Sequence, residues 1–343
     1  MTERDEDRLV RIPTRTKDNL GLNNGDLVLI GDRTLYVADA TEEDIYKVGE
    51  VSSFVSSSTY ESLPHDTDVK PIPADVTIGC DPEFILVSNQ RKIVEAGRVF
   101  KREGQIGNDA GLGELRPDPS IDTPGLMRNI QSLIKRIPSI TEHRPYGFTS
   151  IRGWMLGFHV HLGIPQEVLS YASEKHHQFM RSLIYVMDFF VGVPSVLADK
   201  SDARRLSLGP YGKGGDYRIK ECTIEYRTPG GIHLSHPEYT RTLLETSHVV
   251  CKDIIGRGML LTKGWSRMEN FYSFSDVSRA YNIPSSKELL RAINNPDRAE
   301  LRELNSRAEE EVKKLHGYGR SERFIAPFFK PRVERSHSLL DNW

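Results

Sequence analysis

The sequence predicts an α+β protein in which a small β-rich module precedes a larger domain of strands and helices. Short strand signals separated by turn residues occupy residues 1–60. Further along, several segments alternate apolar and polar residues with the two-residue period of a strand. Between them lie segments whose apolar residues recur at helical spacing. A chain of 343 residues is long enough for more than one domain.

The composition is that of an ordinary soluble globular protein, with 38% hydrophobic and 27% charged residues. A net charge of −2 provides no overall attraction to nucleic acid or to an anionic membrane, so neither partner is expected. Three cysteines without CxxC spacing indicate reduced thiols in a cytoplasmic protein. The N-terminus lacks the apolar segment of a signal peptide, and the most apolar run, around 183–193, contains Asp188 and is too short to span a bilayer.

The first element is the β-rich module, in which turn residues such as Asn24-Gly25 separate the strands. Strands are predicted at 9–12, 27–30 and 34–37. The following stretch, 52–73, is rich in Ser, Thr and Pro and has little apolar periodicity, which is typical of a connection. The predicted division is a module at 1–60, a linker at 61–74, a main domain at 75–320 and a C-terminal arm at 321–343.

Helices are predicted where apolar residues repeat with helical spacing after a capping residue or an early proline. These segments are 120–137, 165–191, 236–255 and 297–315. The last of them is rich in opposite charges and reads as a solvated helix.

The strand predicted at 75–87 carries Asp81 and Glu83 two residues apart, and therefore on one face. Two acids on one face repel each other unless a cation lies between them. Pro82 cannot donate a backbone hydrogen bond to a ladder, so the strand is expected at an edge or a bulge. The alternative is a solvated edge without a ligand.

A second acidic stretch follows at 105–120, where Asp109 and Glu114 flank a hairpin-like connection. Glu114 and Arg116 form a Glu-x-Arg pattern that recurs later in the chain at Glu225 and Arg227. A surface ion pair explains one such pattern, but two in one chain, each followed by a proline, favour a shared role.

The strand predicted at 154–164 places His159 and His161 on one face and apolar residues on the other. Gly157 and Gly163 flank the pair, and a backbone can be approached closely at glycine. Two imidazoles on a polar face are compatible with a metal or phosphate site. The alternative is a pair of ordinary core or surface histidines.

A glycine-rich, basic loop is predicted at 198–220, around the sequence GPYGKGG. Such a loop could close over a polyphosphate through backbone N–H groups and cations, although it lacks the ending of a Walker loop. The alternative is a plain solvated loop. Its candidate phosphate-binding residues are Arg204, Arg205, Lys213 and Arg218.

The strand predicted at 221–231 places Glu225 and Arg227 on one face and ends at Thr-Pro-Gly-Gly. A carboxylate beside a guanidinium on a rigid strand suits a site that holds a metal ion and a phosphate together, while a surface ion pair is the alternative. Carboxylates with one or two histidines suit Mg²⁺ or Mn²⁺ better than zinc. Divalent ions with arginines alongside are what a nucleoside-triphosphate site needs.

The segment IPTRTKDNLGLNNGDLVLI resembles the swapped-hairpin module of AbrB-like transition-state regulators. The resemblance covers roughly 30 residues and implies a module that dimerises and, in that family, often binds DNA. Basic residues near the segment are matched by acids, so an accessory or dimerising role is favoured over DNA binding.

The motifs GCDPEF, GNDAGLGELRP, GFHVHLG and IEYRTPGG, in this order, resemble the phage-type carboxylate–amine ligases of the glutamine synthetase and glutamate–cysteine ligase superfamily. The resemblance covers roughly residues 76–255. It implies an antiparallel sheet curved around the site with helices outside. It also implies an ATP- and Mg²⁺-dependent reaction that joins a carboxylate to an amine, on a small molecule or a peptide, through an acyl phosphate. A phage-encoded enzyme would act in the host cytoplasm.

The same resemblance assigns roles to individual residues, although Asp81 stands where glutamine synthetases have Glu. The implied metal ligands are Asp81, Glu83, Asp109, Glu114, His159 and Glu225. The implied catalytic residues are Glu83, Glu225, Arg227 as the phosphate contact and His161 nearer the acyl substrate. Weaker candidates for ATP or substrate are Arg116, Arg204, Arg205, Lys213 and Arg218. Two rivals remain open: a guanidino kinase, which would stop at phosphoryl transfer, and a DNA-binding regulator with a degenerate ligase body.

Overall fold

A computed structural model describes the fold of most of the chain after residue 75. The residues described are 9–12, 27–30, 33–39, 54–55, 69–71, 76–164, 176–199, 202–207, 209–220, 223–261, 274–330 and 336–343. They belong to two compact units, of which the first comprises 1–75, 165–176 and 252–272 and the second comprises the remainder.

The first unit contains a five-stranded sheet. Its strands are β1 (Leu9–Ile12), β2 (Leu27–Ile30), β3 (Arg33–Asp39), β4 (Phe54–Val55) and β5 (Val69–Pro71). They lie in the order β4-β1-β3-β2-β5, with β1 parallel to β3 and the other pairs antiparallel. Strand β5 falls inside the stretch expected to be a linker, so backbone pairing continues beyond residue 60.

The second unit contains an eight-stranded antiparallel sheet and a small two-stranded sheet. Their strands are β6 (Thr77–Val87), β7 (Ile93–Val94), β8 (Ile106–Asp109), β9 (Leu112–Leu115), β10 (Arg144–Tyr146), β11 (Ser150–Ile151), β12 (Trp154–Met155), β13 (Phe158–Gly163), β14 (Tyr217–Lys220) and β15 (Thr223–Tyr226). The main path is β14-β15-β13-β6-β9-β8, while β7 and β10 also pair with β6 and β11 pairs with β12. The described part of the chain therefore has the mixed helix and antiparallel-sheet architecture that the sequence predicts.

The helices run from α1 to α10. They are α1 (Thr123–Arg136), α2 (His176–Met187), α3 (Val193–Ala198), α4 (Ala203–Leu206), α5 (Pro237–Leu261), α6 (Phe274–Tyr281), α7 (Ser286–Asn294), α8 (Arg298–Val312), α9 (Tyr318–Ile325) and α10 (Leu339–Asn342). A π-helical turn, Asp188–Gly192, joins α2 to α3. Helix α1 begins where Asp122 accepts a hydrogen bond from the Gly125 N–H at 2.6 Å, as its capping sequence predicts. Residues 165–175 of the predicted helix 165–191 lie outside the described residues.

Strand β6 is central in the sheet, which contradicts the edge position expected from Pro82. Residues 77–82 pair with β13, whereas the ladder to β9 begins at Glu83. The Glu83 N–H donates to the Gly157 carbonyl at 2.9 Å, so the nitrogen of Pro82 faces the β9 side just before that ladder starts. The proline is tolerated because it lies where β6 changes partners.

One face of the main sheet packs into the hydrophobic core. Its fully or almost fully buried side chains are Ile78, Cys80, Phe84, Phe158, Val160, Leu162, Ile224 and Tyr226. The π-helical turn packs on this face, where the Tyr226 hydroxyl donates to Asp188 Oδ1 at 2.8 Å. The alternate residues of the same strands therefore point to the opposite face of the sheet. This face is polar near Asp81 and becomes apolar at Ile85, which packs in a cluster with Leu112 and Leu156.

The C-terminal segment packs within the second unit. The indole N–H of Trp343 donates to the Leu234 carbonyl at 2.9 Å, and Gln131 donates to the Trp343 carbonyl at 3.1 Å. Among the described helices, the helical stretch 179–198 is apolar and long enough to cross a membrane, so the apolar run is longer than the sequence suggested, but 89% of its most apolar window is buried inside the protein. Such burial is typical of a core helix.

Candidate active site

Strand register gathers the predicted polar residues on one face of the eight-stranded sheet. Residues directly opposite each other in an antiparallel pair have side chains on the same face. Four such pairs follow one another across β14, β15, β13, β6 and β9. They are Arg218 with Glu225, Glu225 with His161, His159 with Asp81, and Glu83 with Glu114.

The centre of this face is a group that could hold a metal ion, formed by Asp81, His159 and Glu225. Ligand atoms of these three residues all lie within 4.8 Å of one another. The His159 Nδ1 atom is 2.9 Å from Asp81 Oδ1 and 3.6 Å from Glu225 Oε1. Two carboxylates and one imidazole, drawn from three neighbouring strands, form a donor set suited to a hard divalent cation.

His161 lies at the more open side of this group, with its Nε2 atom 3.1 Å from Asp81 Oδ2. Burial alone would raise the pKa of Asp81, but hydrogen bonds and positive charge from His159 and His161 outweigh it and hold the pKa well below its usual range. Asp81 is therefore a carboxylate throughout the physiological pH range.

Glu83 is buried beside the group and is held by two donors. Its Oε2 atom accepts hydrogen bonds from the Gly157 N–H at 2.5 Å and from the Tyr211 hydroxyl at 2.7 Å. The same hydroxyl lies 3.1 Å from His159 Nε2, so Tyr211 connects Glu83 to the central group. Burial, followed by the negative charge of Glu83, raises the pKa of Tyr211 well above its usual value, which keeps the phenol protonated.

Glu114 lies opposite Glu83 and is paired with Arg116. Burial raises the pKa of Glu114 to about 7, and the charges of Asp81, Glu83 and Asp109 add to the increase, while Arg116 opposes it. Asp109 itself is exposed at the end of β8, on the same face of the sheet as Glu114, and is not one of the three residues of the central group. Arg116 also donates to the carbonyls of a nearby loop, at 2.9 and 3.1 Å. The accumulation of acids on this face is what a bound cation would relieve.

Three basic side chains surround Glu225. The Nε atom of Arg227 is 3.1 Å from Glu225 Oε1, and the Nζ atom of Lys220 is 2.9 Å from Glu225 Oε2. Arg218 is mostly exposed and lies 4.0 Å from the same carboxylate. None of these approaches gives Glu225 Oε2 or Arg227 Nε a hydrogen bond of good geometry, and both atoms are buried. Buried polar atoms of this kind are expected where a ligand completes the site.

Arg204 and Arg205 differ from the prediction that they contact phosphate. Arg204 is fully buried and donates to the carbonyls of Thr228 at 3.2 Å, Pro229 at 2.8 Å and Arg227 at 3.2 Å. Arg205 donates to Asp199 at 3.1 Å and to the Thr228 carbonyl at 2.8 Å, and burial lowers its pKa to about 10. Both arginines support the chain that follows β15 through the donors that bond to main-chain carbonyls and a buried acid, whereas Arg204 Nε, Arg205 Nε and Arg205 Nη1 are buried without a hydrogen bond to a described residue.

The glycine-rich loop also differs from the prediction, because its N–H groups bond within the protein. Gly212 N donates to Asp216 at 2.8 Å, Lys213 N to the Pro210 carbonyl at 3.1 Å, and Gly214 N to Asn294 at 2.7 Å. These amides are not free to cradle a polyphosphate as the sequence suggested. Lys213 is half-buried, and its carbonyl accepts from Thr228 at 2.8 Å.

Sequence reasoning missed Tyr211 and Lys220. Tyr211 lies within the GPYGKGG segment, where attention to glycines and cations hides a single aromatic residue. Lys220 shares the alternation of Arg218 on β14, so the two-residue period would have placed it on the site face.

The model of a family described as phage phiEco32-like COOH.NH2 ligase-type 2 matches residues 78–342 of this chain. No curated protein sequence matches the chain. A crystal structure of a bifunctional glutathione synthetase from Pasteurella multocida is similar with a TM-score of 0.41 and 11% identity, over 75% of this chain and 47% of that chain. This chain thus spans about half of that protein's length, and a TM-score this low does not establish a shared fold.

Proposed function

Because the chain belongs to the phage phiEco32-like COOH.NH2 ligase type 2 family, we propose that it uses ATP to join a carboxylate to an amine through an acyl phosphate. The observation that carries this proposal is the group formed by Asp81, His159 and Glu225 with Arg227 beside it. Acids that can hold a divalent cation next to a guanidinium are what the transfer of a phosphoryl group requires.

The residues that would hold Mg²⁺ or Mn²⁺ are Asp81, His159 and Glu225, with Glu83 and Glu114 adjacent. The donor set fits, because it is rich in carboxylate oxygen and includes Glu225 Oε2, a buried atom without a hydrogen bond. When bound, a divalent ion would offset the negative charge of the nucleotide phosphates. Asp109, exposed at the end of β8, is proposed as an outer member of the same acidic set, since its charge acts on Glu114.

The protein's own residues divide the remaining work. Arg227 would orient the phosphoryl group as it passes from ATP to a carboxylate oxygen of the acid, releasing ADP. The amine would then attack the acyl carbon and displace phosphate, while a nearby carboxylate accepts the proton that the amine loses. His161, at the more open side of the group, would contact the acyl substrate.

The proposal also covers the superfamily, the N-terminal module and the site of action. Placement in the glutamine synthetase and glutamate–cysteine ligase superfamily rests on the four motifs and on the antiparallel sheet that presents them. A dimerising AbrB-like module at the N-terminus and a site of action in the cytoplasm of a phage host also rest on resemblance alone.

Phosphate release tests the reaction class. We expect release from Mg-ATP to require both a carboxylic acid and an amine, whereas a guanidino kinase would transfer phosphate to the guanidino substrate alone. The substrates can be sought by incubating phage or host extract with the enzyme and Mg-ATP and searching by mass spectrometry for a condensed product.

Substitution tests the site. Glu83→Gln and Glu225→Gln remove a negative charge from a buried position while preserving shape, so we expect each to abolish ATP consumption in a folded protein. Far-UV circular dichroism and thermal unfolding of each variant provide the control for folding. Retained turnover in both variants would count against the metal assignment.

A further inference from the structure

The tyrosine of the glycine-rich loop occupies a position that the proposed reaction does not explain. Its hydroxyl lies between two members of the site, 2.7 Å from Glu83 Oε2 and 3.1 Å from His159 Nε2. His159 is the imidazole of the candidate metal group, and its other nitrogen, Nδ1, is the atom that lies near Asp81 and Glu225.

The hydrogen bonds determine which nitrogen of His159 carries a proton. The Glu83 carboxylate can only accept, so the single hydroxyl proton of Tyr211 is donated to Glu83. The tyrosine oxygen must then accept from its other neighbour, which requires a proton on His159 Nε2. The structure also places Asp81 Oδ1 2.9 Å from Nδ1, a hydrogen bond that needs a proton on Nδ1, so Nδ1 presents its lone pair once a metal ion takes the place of that proton while the Nε2 proton stays hydrogen-bonded to Tyr211.

We propose that Tyr211 is a positioning residue, which holds the proton of His159 at Nε2 and so presents Nδ1 as a metal ligand. This inference rests on the metal site of the proposed function. A metal-binding histidine usually donates its second N–H to a fixed partner, and such partners determine both the tautomer and the orientation of the ring.

The tyrosine is itself held in place. Two guanidinium groups contact its ring, with the Arg204 carbon 4.8 Å and the Arg227 carbon 4.7 Å from the ring centroid. Arg204 is fixed by three main-chain carbonyls, and the loop around the tyrosine is fixed by the Gly212 hydrogen bond to Asp216. The hydroxyl is therefore preorganised and does not have to be recruited when a ligand arrives.

Gly157 leaves the space that this arrangement needs. A Cβ atom at this position would lie 2.4 Å from His159 Nε2 and 2.7 Å from the Tyr211 hydroxyl. Both distances are far below van der Waals contact, so any larger residue would push the tyrosine and the histidine apart.

Binding of Mn²⁺ alone to the full chain tests the proposal. We expect Tyr211→Phe to weaken Mn²⁺ affinity by about 10- to 100-fold, the usual effect of losing the partner of a metal-binding histidine. The affinity is measured by calorimetry and by the electron paramagnetic resonance signal of free Mn²⁺. The matched control is Tyr217→Phe. Tyr217 lies on β14, and its side chain is on the face of the sheet away from the site, so this variant removes a hydroxyl without touching the site.

The position of the proton on the His159 ring provides a second measurement. It distinguishes the loss of the Tyr211 hydrogen bond from a general loss of packing. With saturating Mg²⁺, nitrogen-15 spectra of the histidine side chains should show His159 protonated at Nε2 in the wild type. We expect this signal to be altered in Tyr211→Phe and preserved in Tyr217→Phe, with the resonance identified by its loss in His159→Asn. Thermal unfolding of each metal-free variant establishes that it folds.

The outcomes separate this inference from the function on which it rests. If the wild type binds Mn²⁺, Glu225→Gln removes binding and Tyr211→Phe matches Tyr217→Phe, the positioning role is overturned and the metal site stands. If the wild type shows no Mn²⁺ binding that depends on Glu225, both proposals fail.

Discussion

Arg227 and Arg204 both lie over the ring of Tyr211, yet they serve different purposes. Arg227 approaches the Glu225 carboxylate at the site, whereas Arg204 donates to main-chain carbonyls. A planar guanidinium can stack on a ring and bond in its own plane at the same time, which an ammonium cannot do. The two arginines therefore predict different effects of the same substitution.

At Arg227, we expect lysine to lower kcat by about 10²- to 10³-fold, because the charge remains while the planar donors that orient the phosphoryl group are lost. Steady-state ATP consumption measures the effect. Arg302→Lys, at an exposed position on α8, is the control, because the same exchange there should leave ATP consumption unchanged. Full activity of Arg227→Lys would contradict a role in phosphoryl transfer.

At Arg204, we expect lysine to lower the free energy of unfolding by about 2 kcal/mol, because a single ammonium nitrogen cannot reproduce the planar fork that reaches the three carbonyls from two separate nitrogens in a buried position. Urea unfolding of the wild type and the variant provides the comparison. An unchanged unfolding midpoint would show that these hydrogen bonds contribute little.

The acids and imidazoles of the site could be predicted from sequence, but the roles of the loop arginines could not. Strand alternation places Asp81 and Glu83, and likewise His159 and His161, on shared faces whatever the rest of the fold does. The guanidinium of Arg204 donates to carbonyls more than 20 residues away in sequence, so no local pattern indicates its burial.

At the scale of elements, the position of β6 shows a similar limit. Pro82 correctly marks an interruption of pairing, but the sequence does not say that two different strands meet β6 on either side of it. The helix bounds were more accessible, because caps and periodicity are local signals. The sheet order, in contrast, depends on contacts between residues distant in sequence.

The π-helical turn places Asp188 under β15, where burial raises its pKa from 3.8 to about 7 against the opposing hydrogen bonds of Tyr226, Gly215 and Thr228. The folded protein therefore holds this proton at pH values where the unfolded chain has released it. The protonated Asp188 carboxyl therefore contributes to the free energy of unfolding fully below about pH 4, and this contribution is lost as the pH rises toward 7.

We expect the wild type to lose up to about 3 kcal/mol of stability, relative to Asp188→Asn, between pH 5 and pH 8. The asparagine does not titrate, so the difference between the two unfolding curves isolates the carboxyl group. Urea unfolding at both pH values measures it, and parallel pH dependence of the two proteins would exclude a shifted pKa at this position.

At the scale of the whole molecule, all candidate metal ligands lie in the second compact unit. We expect deletion of residues 1–75 to leave Mn²⁺ affinity within about twofold of the full chain, since every candidate ligand belongs to the second unit. Calorimetry measures the affinity, and circular dichroism establishes that the shortened chain folds. A loss as large as that of Glu225→Gln would mean that the first unit contributes to the site.

The alternation along β13 has a consequence for how this protein can change. His159 and His161 face the site while Phe158, Val160 and Leu162 face the core, so the two sets are interleaved in one short segment. Exchanging a single side chain can alter chemistry and packing separately. Inserting or deleting one residue before the strand would turn every imidazole inward and every apolar group outward at once. Descendants of this sequence should therefore vary in length in the loops around β13, and not within it.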